Sequence, residues 1–79
     1  MSEDEQLIEI MMDVFRLDRN EITDALTYNS VPGWDSVGHM TLIASLEDSF
    51  TIEFDPDDIP QMTNVRMVKD TVRKYLAKA

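Results

Sequence analysis

Gly33-Trp34-Asp35-Ser36-Val37-Gly38-His39-Met40 is the stretch at which this chain changes character. Before it lies a loop-like segment containing Asp24, Tyr28, Asn29, Ser30, Pro32 and Gly33. After it the apolar residues Val37, Met40, Ile43, Ala44, Leu46 and Phe50 recur at helical spacing. Asp35 and Ser36 therefore fall at a loop-to-helix boundary, where the first backbone N–H groups of a helix lack partners. Both are common helix caps, and capping is the plainest role for the pair. A hydroxyl at that point is exposed and feels the positive end of the helix dipole, which also favours an anion attached to it.

The 79 residues suffice for one small domain with a modest core. The formal net charge is −9. That balance argues against nucleic acid and anionic membrane as partners and favours proteins with basic patches. The seven cations, Arg16, Arg19, Arg66, Lys69, Arg73, Lys74 and Lys78, all lie towards the two ends. Between them run Glu21, Asp24, Asp35, Glu47, Asp48, Glu53, Asp55, Asp57 and Asp58. This one-sided middle suggests an acidic docking face. Without cysteine there is no disulfide framework and no thiolate metal site. The acidic start, with no long apolar run behind it, predicts a cytoplasmic protein without signal peptide or membrane span.

Ser2 and Glu5 have capping-box spacing, and Leu7, Ile10, Met11, Val14 and Leu17 form an apolar stripe, so a first helix is expected over 3–17. The connection from Asp18 to Asp35 is long for so small a domain. Ile22, Leu26, Tyr28 and Val31 are its candidate anchors to the core. Pro32 would stiffen it, and Gly33 can supply a backbone conformation other residues avoid. Trp34 fits the edge of the core. A second helix is expected over 36–49. Gly38 weakens its start, which fits either close approach of a partner or a loosely specified surface position. His39, the only histidine, is three residues past Ser36. A Ser–His catalytic pair is rejected, because no oxyanion donors or third orienting residue accompany it. His39 is read as an exposed polar residue.

Phe50, Ile52 and Phe54 alternate with polar residues, but a lone strand has no ladder partner, so an extended connector is expected. Asp55-Pro56-Asp57-Asp58-Ile59-Pro60 reads as a short helix capped by Asp55, with Pro56 first and Pro60 limiting its length. Its acids miss the EF-hand spacing, so no metal site is expected. A last helix over 64–77, capped by Thr63, carries Val65, Val68, Val72, Tyr75 and Leu76 at helical spacing. The whole reads as an all-α four-helix bundle with a long first loop and a short third helix.

Gly33-Trp34-Asp35-Ser36-Val37, followed by a helix ending in Leu46-Glu47-Asp48-Ser49-Phe50, resembles the acyl carrier protein family, which includes peptidyl carrier domains. The likeness runs over nearly the whole chain and implies a single carrier domain over 1–79. It implies that Ser36 bears a 4'-phosphopantetheine arm, taken from coenzyme A by a phosphopantetheinyl transferase. Asp35 would be the motif acid, acting as a helix cap or helping hold the transferase's metal. Val37 stands where the family more often has leucine. The arm would hold an acyl or aminoacyl group as a thioester, so the chain itself would be no enzyme and hold no metal. Partners would be loading enzymes and acyl-using synthases or transferases, meeting a monomeric carrier at Val37, Met40, Glu47, Asp48, Asp57 and Asp58. Fatty-acid-synthase carriers usually have several acids just after the serine. Here Gly38, His39, Met40 and Thr41 follow Val37, which points to a specialised pathway. The rival expectation is an acidic helical interaction module with no prosthetic group.

Overall fold

The computed structural model describes residues 2–78. Three α-helices, α1 (Glu3–Phe15), α2 (Ser36–Phe50) and α3 (Val65–Lys78), are joined by long irregular connections. Each connection holds one 3-10 turn, Arg19–Glu21 and Ile59–Gln61. Among the described residues there is no strand, only an isolated antiparallel bridge between Thr27 and Asn64. Met1 and Ala79, the ends of the expected 1–79 domain, lie outside the described residues.

Helix α1 begins as its capping signal predicts, with the Ser2 hydroxyl accepting the Glu5 N–H at 3.2 Å. Glu3, Asp4 and Glu5 in the first turn suit the positive end of its dipole. Leu7, Met11 and Phe15, four residues apart, form its buried edge. It stops two residues short of the expected Leu17 because Arg16 turns left-handed, with φ of 59°. In α2 the buried residues are His39, Leu42, Ile43 and Leu46. The apolar stripe read from sequence thus divides: Ile43 and Leu46 face the core, whereas Val37 and Met40 are 73% and 54% exposed.

The expected third α-helix does not form. Residues 55–62 close only three-residue bonds: Asp58 N–H to Asp55 O, Gln61 N–H to Asp58 O and Met62 N–H to Ile59 O. Pro60 has no N–H to offer the carbonyl of Pro56, and its ring opposes an α-helical turn there. Pro60 therefore sits inside the 3-10 turn instead of ending a helix. Helix α3 is capped one residue later than expected, since Asn64 Oδ1 accepts the Met67 N–H at 2.8 Å. The Thr63 hydroxyl donates to Met67 Sδ instead.

The core gathers one side of each helix with anchors from both connections. Ile22, Trp34, Phe54 and Met62 are buried alongside Leu7, Met11, Phe15, Leu42, Ile43, Leu46, Val65, Val68 and Val72. The long loop is sewn to the start of α3, where N–H groups would otherwise be unpaired. Val65 N–H donates to Leu26 O at 3.0 Å and Arg66 N–H to Asp24 O at 3.2 Å. Lys69 pairs with the Asp24 carboxylate at 2.7 Å, and that hydrogen bond holds the Asp24 carboxyl below its usual range.

Thr51 ends α2 with φ of 56°, a left-handed conformation in which a β-branched residue is strained. Glycine has no such penalty at a helix end. Thr51→Gly should therefore raise stability by about 1 kcal/mol, since relief of about 1–2 kcal/mol of strain exceeds the extra chain entropy. Urea unfolding of both proteins measures it, and an equal or lower midpoint in the variant would deny that Thr51 is strained.

Candidate functional site

Two close backbone contacts position the start of α2. A Cβ on Gly33 would lie 2.5 Å from the Phe15 carbonyl oxygen, and one on Gly38 would lie 1.9 Å from the Gly33 carbonyl oxygen. The end of α1, the loop and the first turn of α2 are thus stacked directly on one another. Both glycines have ordinary negative φ. Gly33 is therefore required for space and not for an unusual conformation, and Gly38 accommodates neither a partner nor a loose surface but this chain's own loop.

On that support Asp35 is the N-cap, its carboxylate accepting the Gly38 N–H at 2.8 Å. Ser36 is the first helical residue, and its side chain is exposed. Directly behind it Trp34 is fully buried. Its ring stacks on Phe15 with centroids 4.8 Å apart and faces His39 at 6.3 Å. Tyr28 meets both Trp34 and His39 edge-on. Trp34 belongs to the core and does not line the surface beside Ser36.

His39 is not the exposed residue its polarity suggested: it is 8% exposed. Trp34 Nε1–H donates to His39 Nδ1 at 3.0 Å. An indole nitrogen can only donate, so Nδ1 must hold a lone pair. The neutral ring then carries its proton on Nε2, which donates to the Ile59 carbonyl at 2.9 Å. Burial is tolerated because both ring nitrogens are satisfied.

Beside Ser36 opens a largely apolar cavity of about 370 Å³, lined by Tyr28, Ser36, His39, Pro56, Ile59, Pro60, Met62 and Thr63. Small-ligand pockets span about 300–1,000 Å³, so this one is at the modest end. Sequence reasoning saw the acids of residues 55–58 and passed over the apolar set Pro56, Ile59, Pro60 and Met62 interleaved with them. That set was the available signal. No three of the chain's His, Asp or Glu side chains cluster to hold a metal ion among the described residues.

The other expected site residues separate. Val37 and Met40 are exposed next to Ser36. Glu47 and Asp48 lie about 16–18 Å further along the helix axis. Glu47 is engaged, its carboxylate accepting the Phe54 N–H at 2.9 Å. Asp58 is engaged too, accepting from the Tyr75 hydroxyl and from Lys74. Asp48 and Asp57 are exposed and enter no ion pair among the described residues.

The Tyr75 hydrogen bond is the main reason the Asp58 carboxyl is held below its usual range, while the same bond raises the Tyr75 phenol. A lowered carboxyl stabilises the fold above its ordinary titration and loses that contribution as pH falls through its folded value. A raised phenol contributes below its ordinary titration and loses it in strong alkali. The pair therefore helps most between the two ordinary ranges.

The family model described as "Phosphopantetheine attachment site" matches residues 5–72. Among solved structures, the holo acyl carrier protein from Geobacter metallireducens superposes with a TM-score of 0.84 at 35% identity. That match covers 99% of this chain and 90% of the other. No curated protein matches the chain.

Two outcomes follow from the site's own contacts. Gly38→Ala gains roughly 1 kcal/mol of helix propensity but drives a methyl into the Gly33 carbonyl. Overpacking of that kind costs about 1–3 kcal/mol, so thermal unfolding should show net destabilisation, and a stabilised variant would refute the contact. Tyr75→Phe should lower the melting temperature at neutral pH, with the gap to wild type closing as acid protonates Asp58. A gap constant from neutral to strongly acidic pH would show that the hydroxyl does not act through that carboxylate.

Proposed function

This chain belongs to the phosphopantetheine-attachment family of carrier proteins, and from that premise we propose that Ser36 is the attachment residue of a dedicated acyl carrier. The observation that carries the proposal is the exposed Ser36 hydroxyl at the first position of α2, on the rim of the apolar cavity. The prosthetic group is 4'-phosphopantetheine, whose thiol holds cargo as a thioester. The residues present fit it. A phosphate on Ser36 Oγ meets the positive end of α2, where the Ser36 and Val37 N–H groups take no partner among the described residues. The cavity offers apolar cover to whatever hangs beside it. Asp35 caps the helix through one carboxylate oxygen, leaving the other to the metal of a phosphopantetheinyl transferase.

No catalytic role falls to the chain in this scheme. Ser36 presents the arm, Asp35 and Gly38 fix its root, and partner enzymes supply the chemistry. Loading enzymes and acyl-using synthases or transferases meet the start of α2 through the exposed apolar Val37 and Met40. Their basic patches read Asp48 and Asp57, while Glu47 and Asp58 are committed to the fold. The neutral first two turns of α2 support a specialised pathway, because charge placement sets encounter rate and register. The carrier acts as a monomer, and no described helix is long and apolar enough to cross a membrane.

Incubation with coenzyme A, magnesium and a broad-range phosphopantetheinyl transferase should add one phosphopantetheine by intact mass, and Ser36→Ala should accept none. Modification of the alanine variant would move the site elsewhere. Asp48→Lys should slow turnover of the loaded chain by its own partner enzymes without shifting its melting temperature. A housekeeping ketosynthase that turned over this carrier as fast as its usual one would defeat the specialised reading.

A further inference from the structure

The wall of the cavity facing α2 is the segment from Phe54 to Met62, which has no regular structure beyond the 3-10 turn. It is held in place by side chains from elsewhere. At its start, Phe54 N–H donates to the Glu47 carboxylate, Asp55 N–H to the Tyr75 hydroxyl oxygen, and Asp58 accepts from Tyr75 and Lys74. At its end, Met62 is buried and Thr63 O accepts the Tyr28 N–H at 2.9 Å. For residues 59–61 in between, two hydrogen bonds come from outside the segment among the described residues: the adjoining Thr63 N–H donates to the Gln61 carbonyl at 2.9 Å, and His39, from α2, donates to the Ile59 carbonyl. His39 and Ile59 both line the cavity, so this bond ties one wall to the other across it.

We infer that His39 sets the width of the cargo cavity: its neutral ring clasps α2 to the Ile59 turn, and releasing the clasp admits longer apolar acyl groups. The cargo half of this inference rests on Ser36 being the attachment residue; the clasp itself does not. Trp34 is the positioning residue. Its indole N–H holds Nδ1 as an acceptor, which leaves the proton on Nε2 where it reaches Ile59. A ring protonated on both nitrogens turns an N–H towards the indole N–H, so the Trp34 bond exists only in the neutral form. The groups around the ring do not replace it. Tyr28 meets it edge-on, the Asp35 carboxylate is taken by the Gly38 N–H, and Asp58 is taken by Tyr75 and Lys74. Asp57 is exposed on the same segment and forms no ion pair with His39 among the described residues.

The test has two arms. In the unmodified chain, nitrogen NMR at neutral pH should find the His39 proton on Nε2 and Nδ1 bare. Acidification should move the Trp34 indole N–H signal and the amides of residues 59–62 in step with the imidazole. A proton on Nδ1, or an indole signal that stays put while the ring titrates, overturns the clasp. His39→Gln, a neutral amide with a donor and an acceptor, should keep the fold while abolishing the pH response of the indole, a result that a purely structural histidine does not predict. In the second arm, wild type and His39→Phe, a ring of similar size with no N–H for the Ile59 carbonyl, are loaded at Ser36 with saturated straight acyl chains of increasing length. The Met62 and Ile59 methyl signals report entry into the cavity. The variant should accept longer chains than wild type before its shifts level off. The same limit in both overturns the size-setting role. Failure of both proteins to load overturns the attachment reading and the cargo half with it, while the indole titration still decides the clasp.

Discussion

The site depends on how closely the Gly33 carbonyl lies over the first turn of α2. With only hydrogen at Gly38, that carbonyl approaches to where a Cβ would stand 1.9 Å away. Gly33 in turn lies against the backbone at Phe15. These contacts determine where the loop ends and the helix begins. They bring Trp34 under the serine, set Asp35 as cap and leave the Ser36 hydroxyl outward. Interiors this tightly packed transmit small changes, so a single methyl here is felt at the serine.

Polar side chains do the work on the other side of the cavity that a sheet or an α-helix would do in a larger protein. Glu47, His39, Tyr75 and Lys74 each reach from a helix to the segment between Phe54 and Met62. This explains how a wall with two prolines and several acids keeps a defined shape. It also divides the acidic middle of the chain into two kinds of residue. Glu47 and Asp58 hold the wall, while Asp48 and Asp57 remain exposed at the surface.

Much of this was legible in the sequence. Apolar spacing located all three α-helices, with errors of one or two residues at their ends: a left-handed Arg16 stops α1 early, the Asn64 side chain starts α3 late, and α2 and α3 each run one residue further than expected, to Phe50 and Lys78. The Asp35–Ser36 boundary was readable because capping chemistry is local. What escaped notice was non-local. His39 looked like a surface residue because nothing in its neighbourhood shows that Ile59, twenty residues on, offers it a carbonyl. Glu47 looked like a docking acid because its bond to Phe54 exists only after the chain turns at Thr51. The short third helix was expected from a cap-and-proline pattern that serves a 3-10 turn equally well, and Pro60 favours the turn.

In the proposed function this architecture serves to present Ser36 with its arm. The most direct measurement is the mass of the protein taken from its own cells, followed by fragmentation of the peptide that contains Ser36. The expected result is one phosphopantetheine on Ser36 and nothing comparable on Ser2, Ser30, Ser45 or Ser49. A chain found wholly unmodified, or modified at one of those other serines, would contradict it.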